Sequence, residues 1–229
     1  MKYPNWIVVL IFLSMLPVMT AVHGQSGAQA EAQLANVRVA MDIHLREEQI
    51  PVVLGAVLRG TGLSGGVAEE LGCSTVPTAR LDVQQGATVR EAIGAFVAQN
   101  PAYRWSEDAD VVNLMPVAKF PLLNAKIRTF EQETTADATT PGAALNELLG
   151  LPEVRQRAAE LNLKPGPRAT GLLYDQRAPT PIRLSLHDVS LQEAFNSVVR
   201  VYGAHTIWVY DERHCHGERT YVARASKEF

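Results

Sequence analysis

Two stretches decide the fold: Thr88-Val89-Arg90-Glu91-Ala92-Ile93-Gly94-Ala95-Phe96-Val97 and Ser190-Leu191-Gln192-Glu193-Ala194-Phe195-Asn196-Ser197-Val198-Val199. Each opens with a hydroxyl residue and carries Glu three positions on, a capping box in which side chains satisfy amides the first helical turn leaves unpaired. Thr88 with Glu91 and Ser190 with Glu193 therefore mark helix starts. Apolar residues then recur at i, i+3, i+4, i+7 and i+8: Val89, Ala92, Ile93, Phe96 and Val97 in the first, and Leu191, Ala194, Phe195, Val198 and Val199 in the second. That spacing is one buried stripe along a helix.

The same neighbours flank both helices. A short alternating strand precedes each, Leu81-Asp82-Val83 and Leu184-Ser185-Leu186. A Trp-containing strand follows each, Tyr103-Arg104-Trp105 and Ile207-Trp208-Val209-Tyr210. A closing strand comes last, Val111–Met115 and Thr220–Ala223. Upstream, residues 37–45 alternate strictly, with Val37, Val39, Met41, Ile43 and Leu45 on one side, the period of a half-buried strand. A third striped helix carries Ile50, Val53, Leu54, Val57 and Leu58, with Pro51 in its first turn and Gly60 and Gly62 ending it.

The second half begins with an expected strand around Leu122–Phe130 and a helix at 141–150 bearing Leu145, Leu148 and Leu149. Residues 151–180 read as an insertion, with a short helix at 152–161 and an irregular stretch marked by Pro165, Gly166, Pro167 and Gly171. The expected fold is α+β, two small related modules at 37–118 and 119–229, each with helices packed on a mixed sheet.

The N-terminus explains what precedes them. Lys2 is followed by an apolar run through Ile7-Val8-Val9-Leu10-Ile11-Phe12-Leu13, then by small residues, the anatomy of a secretory leader. Val22 and Gly24 suit the −3 and −1 positions, so residues 1–24 are the expected leader, with the mature chain starting at Gln25 and a linker over 25–36. The run is shorter than the roughly 20 residues that cross a bilayer, and no later segment is long and apolar enough to span one. The whole chain has a net charge of −3. Losing Lys2 with the leader takes it to −4, and the remaining basic residues are scattered, which gives nucleic acid no electrostatic purchase.

The repeated wording, "ATVREAIGAFV" and "VSLQEAFNSVV" each set between strands, resembles the short periplasmic domain at the N-terminus of secretins and TonB-dependent signalling receptors. The matching segments are Ile43–Leu63, Leu81–Trp105 and Leu184–Trp208. The resemblance implies a domain that docks another protein's peptide or domain, and it implies no channel. Residues 151–180 have no counterpart in that family's core.

Motifs of chemistry are thin. There is no G-x-S-x-G, no H-E-x-x-H and no phosphate loop, and Gly62-Leu63-Ser64-Gly65-Gly66 reads as a flexible turn into a strand. His214-Cys215-His216 lacks the second ligand pair that a structural zinc site needs, so no metal, cofactor or catalytic residue is assigned. Glu69-Glu70 and Glu47-Glu48 read as solvated surface. The aromatics at 103, 105, 208 and 210 are expected in the core, with an exposed ladder as the alternative. Cys73 and Cys215 are the two cysteines; in an oxidising compartment they can bridge, or remain two thiols. The expected function is a non-catalytic, periplasmic or secreted interaction module binding an envelope protein or peptide. The alternative is an envelope enzyme, or a small-ligand- or glycan-binding protein with a pocket between the modules.

Overall fold

The computed structural model describes residues 34–134, 140–167 and 182–227. The expected leader at 1–24, the linker up to 33 and residues 168–180 of the expected insertion lie outside the described residues. The first half of the chain runs β1 (Ile43–Gln49), α1 (Ile50–Leu58), β2 (Ser64–Leu71), β3 (Thr78–Val83), α2 (Val89–Gln99), β4 (Tyr103–Asp108) and β5 (Val111–Pro116). After a 3-10 turn at Pro121–Asn124, the second half runs β6 (Lys126–Thr134), α3 (Pro141–Gly150), α4 (Pro152–Glu160), β7 (Lys164–Pro165), β8 (Ile182–Ser190), α5 (Leu191–Tyr202), β9 (Thr206–Cys215) and β10 (Glu218–Lys227). The chain is α+β.

The pairings recur as well as the elements. β1 pairs antiparallel with β3, as β6 does with β8. β4 pairs antiparallel with β5, as β9 does with β10. β2 lies parallel to β5, as β7 does to β10. The two three-stranded sets do not stand as separate sheets. Parallel pairing of β2 with β9 joins them into one six-stranded sheet in the order β4-β5-β2-β9-β10-β7.

Strand directions and side-chain faces fix how the halves relate. Cross-strand partners share a face of a sheet, and successive residues alternate. Val67, Val112, Leu114, Ile207 and Val209 therefore point to one face, where they pack with α1, α2 and the β1–β3 ribbon. Ala68, Val111, Met115, Trp208, Tyr210, Ala223 and Ala225 point to the other, where they pack with α3, α5 and the β6–β8 ribbon. A half-turn about an axis lying in the sheet across its strands, combined with a shift of three strands along that axis, carries one half onto the other, so helices cover opposite faces. Each core borrows strand residues from the other half.

Several local readings change. The expected strand at 37–45 divides. Val37 and Val39 bond the chain at the entry to α2 (Val39 N donates to Ala87 O at 2.8 Å, Val89 N to Val37 O at 2.9 Å), and the Asp42 side chain accepts from Gln85 N at 2.7 Å. The strand proper begins at Ile43, so Met41 is left 39% exposed. Leu34, placed in the linker by sequence, is buried in the first core. The strand expected around Leu122–Phe130 starts at Lys126, because Pro121–Asn124 turns to bury Leu122 and Leu123. Gly65 and Gly66 are not a flexible turn: they lie inside β2, where Leu54 and Leu58 press from one face and Trp208 from the other. Among the described residues no helix is long and apolar enough to cross a membrane.

Candidate functional site

The helix caps set the frame of the molecule. Glu91 N donates to Thr88 Oγ1 at 3.2 Å and Thr88 N donates to Glu91 Oε2 at 2.8 Å. Ser190 and Glu193 repeat this, with distances of 3.2 and 2.6 Å. The backbone amide each carboxylate accepts from holds Glu91 and Glu193 below the ordinary carboxylate range. These residues fix where α2 and α5 begin, and so where β4 and β9 emerge.

Cys73 and Cys215 form a disulfide with their Cα atoms 4.8 Å apart. The parallel ladder explains the meeting. β2 and β9 pair from Gly65↔Ile207 to Leu71↔Arg213, and the same offset of 142 residues separates the two cysteines. The bridge continues the strand pairing that joins the halves. His216 lies beside it, with ligand atoms of the three residues within 4.8 Å, but sulfurs consumed in a disulfide offer no thiolate to a metal. His214 accepts from Arg219 Nε at 3.0 Å.

At the far side of the sheet β4 is an edge, and among the described residues no strand pairs with its outer side. Val117 N donates to Ala102 O at 2.7 Å. That bond sets the phase of the antiparallel ladder: Arg104↔Met115, Ser106↔Asn113 and Asp108↔Val111 are the hydrogen-bonded pairs, and Trp105 and Glu107 turn their N–H and C=O groups outward. The Trp105 ring is braced by the Arg90 guanidinium, 5.5 Å from its centroid. Arg200 of α5 holds the strand end, donating to Asp108 O at 3.0 Å and to Asp110 Oδ1 at 2.8 Å. Trp208, Tyr210 and Tyr103 are buried, so the four aromatics make no exposed ladder.

A cluster of buried charge lies across the seam. Glu69 and Asp211 are direct cross-strand partners on β2 and β9, 1% and 3% exposed. Arg224 of β10 bonds Asp211 through Nη1 and lies 3.7 Å from Glu69 Oε2 through Nη2. Glu69 Oε1 and Asp211 Oδ1 have no hydrogen-bond partner. Burial pushes the Glu69 carboxyl up to about 7, with Arg224 partly opposing. The three residues form part of the wall of a pocket of about 300 Å³ that also includes Leu71, Arg213, Thr220 and Val222. On the opposite face Tyr210 donates to Glu212 at 2.9 Å, and Glu212 accepts from Arg219 at 3.1 Å. Burial and the Glu212 charge push the Tyr210 phenol far up.

The sequence reading of Glu69 as solvated is overturned. A signal was present: Val67-x-Glu69-x-Leu71 and Ile207-x-Val209-x-Asp211 each place an acid on the apolar side of an alternating strand. Glu70, one residue on, faces the other way and is exposed, as are Glu47 and much of Glu48. No family model, curated protein or solved structure matches the chain.

Proposed function

We propose that the chain is an exported, non-catalytic interaction module of the cell envelope, which binds an extended segment of another envelope protein or peptide along β4. The observation that carries this is the outer edge of β4. By the repeat relation its counterpart in the other half is β9, and the corresponding edge of β9 is filled by β2 in parallel register. An edge strand offers a row of ladder groups to any added strand, and main-chain bonds supply affinity while flanking side chains supply choice. The opposite end of the sheet is blunted, because β7 has two residues and one of them is Pro165, which has no N–H to donate. Among the described residues, the β7 end of the sheet is thus blunted beside Thr220 and Tyr221, while no strand is added at the β4 end. The resemblance to docking domains of secretins and TonB-dependent receptors, and the leader-like residues 1–24, support the same reading.

Proline at an outward-facing edge position removes a docking donor while sparing the internal ladder. Trp105→Pro should therefore keep the fold by circular dichroism and lose partner capture from an envelope fraction, whereas Trp105→Ala should retain it. Equal capture by wild type and Trp105→Pro would contradict docking on β4. A second reading, small-ligand binding where the halves meet, is favoured by a separate observation, the Glu69–Asp211–Arg224 pocket.

A further inference from the structure

We infer that the pocket on the seam takes a small zwitterion of the α-amino-acid class, with its ammonium group against Glu69 and Asp211 and its carboxylate against Arg213. Two carboxylates in this wall each keep one oxygen without a hydrogen-bond partner while nearly out of solvent contact, and buried acceptors are normally satisfied. An ammonium carries three donors and can serve both carboxylates once each turns about its last bond to face the pocket. A divalent metal fits poorly: hard cations gather six or more oxygens, and here Arg224 already stands between the two acids.

A bare amine fits less well than a zwitterion, because a second guanidinium, that of Arg213, lines the same pocket. Asp211 and Arg213 are two residues apart on one face of β9, a separation of about 6.6 Å along the strand. Both side chains border the same pocket, so an acid and a guanidinium stand at neighbouring steps along its wall. Leu71 and Val222 supply apolar wall for an aliphatic side chain, and 300 Å³ is at the small end of ligand pockets. Burial holds the Glu69 carboxyl partly protonated at neutral pH, so an arriving ammonium restores its charge.

Titration calorimetry on the exported protein tests this with three probes that dissect one molecule: leucine, 3-methylbutylamine (leucine without its carboxylate) and 4-methylpentanoate (leucine without its ammonium). Leucine should bind saturably, and each fragment at least tenfold more weakly. Glu69→Gln should weaken leucine at least tenfold. Arg213→Ala, a change to an exposed side chain, should leave leucine no better than 3-methylbutylamine. No saturable binding of leucine at millimolar concentration overturns the inference, as does equal binding of the amine fragment. Unchanged leucine affinity in Arg213→Ala overturns it even if Glu69→Gln fails to fold.

Discussion

At Gly66 a β-carbon would stand 2.2 Å from the Trp208 ring, and the ring has nowhere to go, since Trp208 is fully buried and its Nε1 donates to Asn196 Oδ1 at 2.7 Å. Gly66→Ala should therefore lower stability by about 1–3 kcal/mol or more through overpacking, measured by chemical denaturation; Gly94→Ala, where nothing lies within 4 Å, should not. Glu69 is the other residue on which the seam turns. Its carboxyl is raised from 4.5 to about 7, so the folded chain holds that proton more tightly than the unfolded chain does. The contribution is whole below pH 4.5 and lost as pH rises through about 7. Glu91 and Glu193 act with the opposite sign, but their lowered values put their loss below pH 4.5. Melting temperature should thus fall between pH 5 and pH 8 in the wild type and be flatter in Glu69→Gln; equal slopes would mean that Glu69 is not the titrating group. Neither residue announces itself in isolation. Glycines beside a helix end look like a turn, and an acid beside another acid looks like surface, until the strand pairing puts a tryptophan over one and an arginine over the other.

The helices were legible because their causes are local. A capping box and a stripe lie within ten residues, and α2 and α5 begin where Thr88 and Ser190 place them. Ser190→Ala and Thr88→Ala should each cost about 0.5–2 kcal/mol, seen as a lower melting temperature; unchanged melting in both would mean that the caps contribute nothing. Strands were legible in kind and less so in position. Alternation over 37–45 reads as one strand, yet the pairing of Val37 and Val39 with the residues at the entry to α2, and the Asp42 bond to Gln85, break it in two. Those partners lie more than forty residues away, outside any window on the sequence. The outward phase of Trp105 and Glu107 on β4 likewise depends on one bond, Val117 N to Ala102 O, that periodicity cannot supply.

On the scale of the molecule, the repeat was visible in the chain, but its consequence was not. That two similar halves share one sheet, with helices on opposite faces, rests on β2 finding β9 at an offset of 142 residues. The disulfide locks this junction. In the chain-entropy model a closed loop of that length contributes about 5 kcal/mol, and native strain can offset part of it. The double variant Cys73→Ser, Cys215→Ser should be less stable by up to that amount, and protein from an oxidising compartment should weigh two hydrogens less than its thiol form. Two freely alkylated thiols would remove the lock. Under the proposed function, the junction fills the edge of β9 and leaves the matching edge of β4 to receive a partner. Site-specific photo-crosslinking in the intact envelope tests it most directly, with a benzophenone side chain at Ser106, exposed on β4, and at Glu131, exposed on β6, as the control. A discrete adduct is expected from position 106 and none from 131; no adduct at 106, or the same band from both positions, would rule out docking on β4.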